Sequence, residues 1–250
     1  MDDSNLLTSD ALTVRLCRYA PHSEQPSHSH ERASVSVVLS GTLDEMVGRE
    51  SCRADSGSLV SKPAGTQHRN LFGEEGAVML CVGGRAVDEL ECKWGWSRPA
   101  VAARHALAAV RHARSHAYLA CEDRIAQLLE LVGTDAGQVA SIKARDGWAE
   151  EVRKEIDASR GPVRIGALAA RVGVHPVSLT RGFRKRYGVA ISAYFRRRRV
   201  MEASHLLAAT DRPIADIAAD LQFFDQAHLC RCFSAELGVS PSLYRRLIRS

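Results

Sequence analysis

IGALAARVGVHPVSLTRGFRKRYGVA, residues 165–190, and IADIAADLQFFDQAHLCRCFSAELGVS, residues 214–240, are two copies of one pattern. Ile165, Leu168, Ala169 and Val172 return 49 positions later as Ile214, Ile217, Ala218 and Leu221. One residue is then inserted, and the match resumes at an offset of 50: Leu179 with Leu229, Phe183 with Phe233, Gly188 with Gly238, Val189 with Val239 and Tyr194 with Tyr244. Self-similarity of this kind marks one supersecondary unit used twice, and it decides the architecture more firmly than local propensity does.

Each copy reads as helix, break, helix. The breaks fall at Gly173-Val174-His175 and at Gln222-Phe223-Phe224, and the second helices start near Pro176 and Asp225. Proline suits a first helical turn because its missing N–H would be unpaired there anyway, and an aspartate can cap the free N–H groups. In the second helices Leu179 and Phe183, or Leu229 and Phe233, stand four apart and face a core. That leaves Val177, Ser178, Thr180, Arg181 and Arg184 outward in one copy, and Gln226, Ala227, His228 and Arg231 in the other. Arginine can grip guanine bidentately, glutamine can pair with adenine, and small apolar groups meet a thymine methyl. A helical scaffold with a solvated arginine face would use similar residues, but it has no need to present them twice.

Between the copies Ile191 to Ala209 reads as a single connector helix, with a basic run from Arg196 to Arg199. Its rise of about 27 Å would hold two recognition helices near the ~34 Å repeat of the major groove. The charge agrees with such a partner. Residues 151–250 hold 18 Lys and Arg against 9 Asp and Glu, a net +9, whereas residues 1–150 hold 16 against 20, a net −4. Clustered basic side chains gain affinity for a polyanion by releasing its counterions.

These motifs resemble the DNA-binding domain of the AraC/XylS family of bacterial transcription regulators over Val163 to Arg246, about a third of the chain. The resemblance rests on residues 165–173, 179–183, the Tyr194–Leu207 connector, 213–218, 223–228 and Gly238-Val-Ser-Pro241 with Tyr244. It implies base or phosphate contacts from Val177, Thr180 and Arg181 in the first unit and from Gln226, His228 and Arg231 in the second, with Arg184 on a phosphate. Two positions depart from the family: His175, where a serine cap is common, and Gln222, where a glycine permits the turn. A left-handed backbone at Gln222 would be strained.

Upstream, from Ala11 to about Gly84, short apolar stretches alternate with turn signals: Leu12–Tyr19, Ser34–Leu39, the Ser40-Gly41 turn, Ser58–Ser61, the Pro63-Ala64-Gly65 turn and Ala77–Val82. This predicts an all-β sandwich or barrel. His28-Ser29-His30, Gly41, Gly57, Pro63-Ala64-Gly65 and His68 resemble the two short motifs of cupin barrels. His28, His30 and His68 would then converge on a divalent metal, since His-x-His puts two strand side chains on one face. The usual glutamate is missing near Ser34 or Val35, Glu31 would point to the other face, and the asparagine after the last histidine is displaced to Asn70. Ordinary histidines at a barrel mouth are the competing reading.

From Arg98 to about Ser159 the spacing turns helical, as in Ile125, Leu128, Leu129 and Val132. These helices would form either a dimer interface or a layer covering the barrel. Gly133–Gly137 reads as a loop and Asp157–Pro162 as a linker. The expected organisation is α+β in two domains, each with its own core. A cupin-like sensing domain (1–95) and a helical dimerisation or linker region (96–147) precede a DNA-binding domain (148–250) with helix-turn-helix units at about 164–187 and 213–237.

No uncharged apolar run approaches a membrane span, and the acidic start is unlike a signal segment, so a cytoplasmic protein is expected. Seven scattered cysteines form no zinc-ribbon spacing and read as reduced, packed thiols; Cys230 and Cys232, two apart on a helix, would face different ways. Trp94, Trp96 and Tyr118 would line a ligand pocket or sit in the core. The resulting expectation is a non-enzymatic transcription regulator acting on promoter or operator DNA. It would respond to a small-molecule effector, work as a homodimer, and recruit RNA polymerase if it activates. The alternative is a metal-dependent cupin enzyme fused to a DNA-binding tail.

Overall fold

Period-two alternation in the first part of the chain produces seven strands: β1 (Asp2–Thr8), β2 (Thr13–Tyr19), β3 (Glu24–His28), β4 (Ser34–Val47), β5 (Glu50–Asp55), β6 (Leu59–Lys62) and β7 (His68–Gly83). After the short helix α1 (Arg85–Asp88) comes an eighth, β8 (Gly95–Ser97). This computed structural model describes residues 2–90, 92–99, 101–132, 147–159 and 163–249. The expected Gly133–Gly137 loop lies outside them.

All strand pairings are antiparallel. The order is β1-β2-β7-β4-β6-β8, with β3 added to β7 and β5 added to β4. The two long strands change partners along their length: β7 pairs with β3 near His68–Leu71 and with β2 over Ala77–Gly83, while β4 pairs with β6 and then with β5. The sheet thereby rolls into the expected barrel. Ser40-Gly41, expected as a turn, instead lies inside β4 between two register shifts. Gly41 has φ +78°, and a Cβ there would stand 2.0 Å from the Gly76 carbonyl oxygen. Only glycine lets the strands bend together so closely at this bulge.

Alternation sorts the sheet residues into two cores. Val38, Leu43, Cys52, Ala54, Val60, Phe72 and Met79 fill the barrel interior, with Trp94 and Trp96 packed against them. Val14, Leu16, Val35, Val37, Leu39, Leu80 and Val82 point outward and are covered by helices.

The cover has two sources. Helices α2 (Ala102–Arg114) and α3 (Tyr118–Leu129) supply Ala106, Leu107, Val110, Ile125 and Leu128, so the apolar stripe of α2 is used within the chain. The second source is the distal half of the C-terminal part, which contains α4 (Gly147–Ala158), α5 (Ile165–Arg171), α6 (Pro176–Tyr187), α7 (Ile191–Ala209), α8 (Ile214–Asp220), α9 (Gln226–Leu237) and α10 (Pro241–Arg249). Val200, Ala203 and Leu207 of α7, Leu229 and Phe233 of α9, and Tyr244 and Leu247 of α10 join the same continuous core.

Polar bonds fasten this junction. Tyr244 is fully buried and donates its hydroxyl to the Leu39 carbonyl at 2.8 Å. Arg18 of β2 donates to the Ile248 carbonyl at the end of α10, at 3.0 Å. His205 of α7 sits between Ser40 Oγ and the Glu75 carboxylate.

The first helix-turn-helix unit stands apart from this core. Val152 and Ile156 of α4 pack with Leu168, Ala169, Leu179, Phe183 and Ile191 in a third cluster. Asp157 and Ala158, expected to begin a linker, are still helical. The expectation of one core per domain is therefore corrected: one core spans barrel and second unit, because the α7, α9 and α10 side chains meet the outer sheet face directly.

Candidate nucleic-acid interface

Both units fold as their sequences dictate. In the first, Leu168 and Ala169 of α5 face Leu179 and Phe183 of α6, all buried. In the second, Ile217 and Ala218 of α8 face Leu229 and Phe233 of α9. Pro176 is the first helical residue of α6, and His175 caps the helix where a serine is common, its Nδ1 accepting from the Val177 N–H at 3.3 Å. Asp225 Oδ1 caps α9 by accepting from the His228 N–H at 2.5 Å. The connector α7 has the expected bounds.

The break before each second helix uses a left-handed residue. Gly173 takes φ +68° in the first unit, and Gln222, 49 positions on, takes φ +56°. A non-glycine side chain in that region costs about 1–2 kcal/mol, partly offset by the larger unfolded-state entropy of glycine. Gln222→Gly is expected to stabilise the second unit by about 0.5–1 kcal/mol in a denaturant titration; an unchanged or lower midpoint would show the turn to be unstrained. Arg199 of α7 holds this turn from behind, donating Nε to the Leu221 carbonyl at 2.7 Å and lying 3.9 Å from the Phe223 ring centroid.

Of the nine outward residues expected from the sequence, Ser178, Arg181, Arg184, Gln226 and Arg231 are exposed, and Val177 is 58% exposed despite being apolar. Thr180 is half-buried and bonds the Val177 carbonyl. His228 is also half-buried, with its Nδ1 accepting from the Phe224 N–H. Ala227 is exposed beside it. Phe224, given no role from sequence, is 90% exposed at the start of α9.

In the barrel, His28, His30 and His68 converge as expected: their ligand atoms all lie within 4.8 Å of one another. His28 Nδ1 lies 2.7 Å from the Pro26 carbonyl and His68 Nδ1 2.9 Å from that of Thr66. A carbonyl only accepts, so Nδ1 carries the proton and Nε2 keeps the lone pair that a metal needs. Burial, with the neighbouring Lys62, holds the pKa of His68 below its ordinary value, and burial beside His28 does the same for His30. Imidazoles that keep a free Nε2 lone pair fit a borderline divalent ion.

The carboxylate beside the cluster is Glu45, fully buried and towards the far end of β4 from Ser34. It binds Lys62 Nζ at 2.7 Å and the Trp94 indole N–H at 2.9 Å. Lys62 Nζ also lies 3.3 Å from His68 Nε2. Sequence reading missed Lys62, although its place two residues after the inward Val60 on β6 was a usable signal. Asn70 follows His68 on the same face, and its Oδ1 is buried without a partner among the described residues. Tyr118 does not join Trp94 and Trp96: it is exposed on α3 and bonds His116. All seven cysteines are free thiols, and among the described residues no helix is long and apolar enough to cross a membrane.

The helix-turn-helix domain family matches residues 168–247 and the cupin domain family residues 15–85. The chain is 42% identical over 78 residues to the HTH-type transcriptional activator AarP of Providencia stuartii, covering 31% of this chain and 58% of that protein. Against the right origin-binding protein of Escherichia coli (strain K12) it is 38% identical over 85 residues, covering 34% of this chain and 29% of that protein. Against the regulatory protein SoxS of Salmonella typhimurium it is 37% identical over 84 residues, covering 34% of this chain and 78% of that protein. The chain thus spans well under two thirds of the first two relatives, and all three similarities cover only about a third of this chain.

Proposed function

We propose, because the chain belongs to the AraC family of helix-turn-helix transcription regulators, that it is a sequence-specific DNA-binding regulator reading two successive major-groove segments through α6 and α9. The observation that carries this is the pair of capped helices, each with its apolar side buried and a basic and polar side turned to solvent. Val177, Ser178, Thr180, Arg181 and Arg184 serve the first segment. Gln226, His228 and Arg231 serve the second, with Phe224 adding an apolar contact. AarP is named as an activator, and activation, with a contact to RNA polymerase, is the direction proposed here.

The barrel is the sensing part, and His28, His30 and His68 would hold a divalent metal there. The metal would supply a fixed positive centre, while Pro26 and Thr66 orient the imidazoles through their Nδ1 protons. A homodimer would pair through surfaces other than the α2 stripe, which is buried against the barrel and second unit.

Footprinting with genomic fragments at moderate salt, with and without added divalent metal, tests the reading. Two protected segments about one helical turn apart are expected, with an affinity that falls steeply as salt rises. Absence of any protected site under both conditions would sink it.

A further inference from the structure

We propose that Lys62 makes the three-histidine cluster a site that takes a divalent metal tightly only together with a small carboxylate. The inference rests on the barrel being the sensing part of the molecule.

His68 has one free lone pair. Its Nδ1 proton is committed to the Thr66 carbonyl, so Nε2 is what a metal would use, and Lys62 Nζ stands 3.3 Å from that atom. The ammonium and the metal cannot both have it. Lys62 has a second anchor in Glu45 Oε1 at 2.7 Å, so it can release His68 without being left unpaired.

Charge adds a second constraint. An imidazole ligates a metal only in its uncharged form, so the three donors bring no negative charge, and Glu45 is already shared between Lys62 and the Trp94 indole N–H. A divalent ion bound here would leave its charge uncompensated beside an ammonium, in a wall where His68 and Lys62 are buried. Like charges a few ångströms apart out of water repel strongly. An anion removes the conflict, because a carboxylate meets both the metal's charge and the ammonium drawn off His68. His30, the exposed member, marks the open side. Asn70 Oδ1, two residues along β7 from His68, is buried with no partner among the described residues, so the adjoining wall has polar capacity to spare there.

The test is a titration of Co²⁺ into the metal-stripped full chain, followed by its visible d–d absorption, with acetate as the probe anion and acetamide as its neutral counterpart. Acetate is expected to tighten Co²⁺ binding about tenfold or more, and acetamide to have no effect. Because Lys62 alone cannot be removed without stranding buried Glu45, the variant is the double one, Lys62→Met with Glu45→Gln. It should bind Co²⁺ about tenfold more tightly than wild type without acetate and lose the acetate effect. Circular dichroism checks that it folds, and the wild-type comparison needs no variant.

If acetate acts no differently from acetamide, or if the folded double variant binds Co²⁺ no more tightly than wild type, the proposal is overturned. If neither protein gives a d–d band, the metal reading of the histidines falls with it. The DNA-binding reading stands or falls separately, by footprinting.

Discussion

Tyr244→Ala is expected to destabilise the barrel and the second helix-turn-helix unit together, by about 3–5 kcal/mol. Tyr244 is fully buried, packs edge-on against Phe233 with centroids 5.3 Å apart, and bonds the Leu39 carbonyl of β4. Its removal opens a cavity in the core shared by β4, α7, α9 and α10, and deletes one of the polar ties between the barrel and the last helix, leaving that of Arg18 to the Ile248 carbonyl. The three tryptophans report on separate parts: Trp94 and Trp96 pack on the barrel interior, Trp148 on the first unit. Thermal unfolding of single-tryptophan versions should show the barrel signal shifting with the mutation and the Trp148 signal shifting much less. If the barrel midpoint stays put, the shared core does not couple the two parts. Tyr244→Phe separates the contributions, since it keeps the ring and loses only the hydroxyl, at about 1–2 kcal/mol.

The coupling was not legible in the sequence, and the reason is physical. Val200, Ala203 and Leu207 would repeat identically on one face of α7 whether that face covered another helix or a sheet. Periodicity says that a face is buried but not by what. The same holds for α2, whose alanine and leucine stripe read equally as a dimer interface or a cover.

What was legible was covalently local. The connector bounds, Pro176 and the Asp225 cap all depend on neighbours within a few positions, and the repeat is found by comparing the chain with itself. The convergence of His28, His30 and His68 was also visible, through the resemblance to cupin motifs; pairing of β3 with β7 sets His28 opposite His68, and His30 follows just past the end of β3. Glu45 was not, because it reaches the cluster through pairing of β4 with β7, where Glu45 stands opposite Asn70. A register between strands this far apart in sequence is set by the bulges at Ser40 and Gly41, and those were read as a turn.

Arg181→Ala and Arg231→Ala are each expected to cost about 1–3 kcal/mol in DNA binding, and to relax base preference at different segments of the site about one helical turn apart. Both side chains are exposed on the solvent faces of α6 and α9, and neither is engaged in an ion pair among the described residues. Since they belong to separate units, their effects should add, giving about 2–6 kcal/mol for the double variant. Selection of bound sequences by each variant, beside wild type, is the measurement. Loss of equal size on every sequence, with the salt slope lowered by about one, would reduce these arginines to phosphate contacts. The unequal surroundings of the two units sharpen the expectation. α9 shares a core with the barrel, whereas α6 belongs to a separate cluster. A ligand that shifts the barrel can therefore bias the Arg231 segment directly through packed side chains, while the Arg181 segment is reached at one remove, through α7, whose Ile191 lies in the first unit's cluster and whose Val200 lies in the shared core. Ligand-dependent binding should accordingly persist in the Arg181 variant and be reduced in the Arg231 variant, and the opposite pattern would place the sensing route through the first unit.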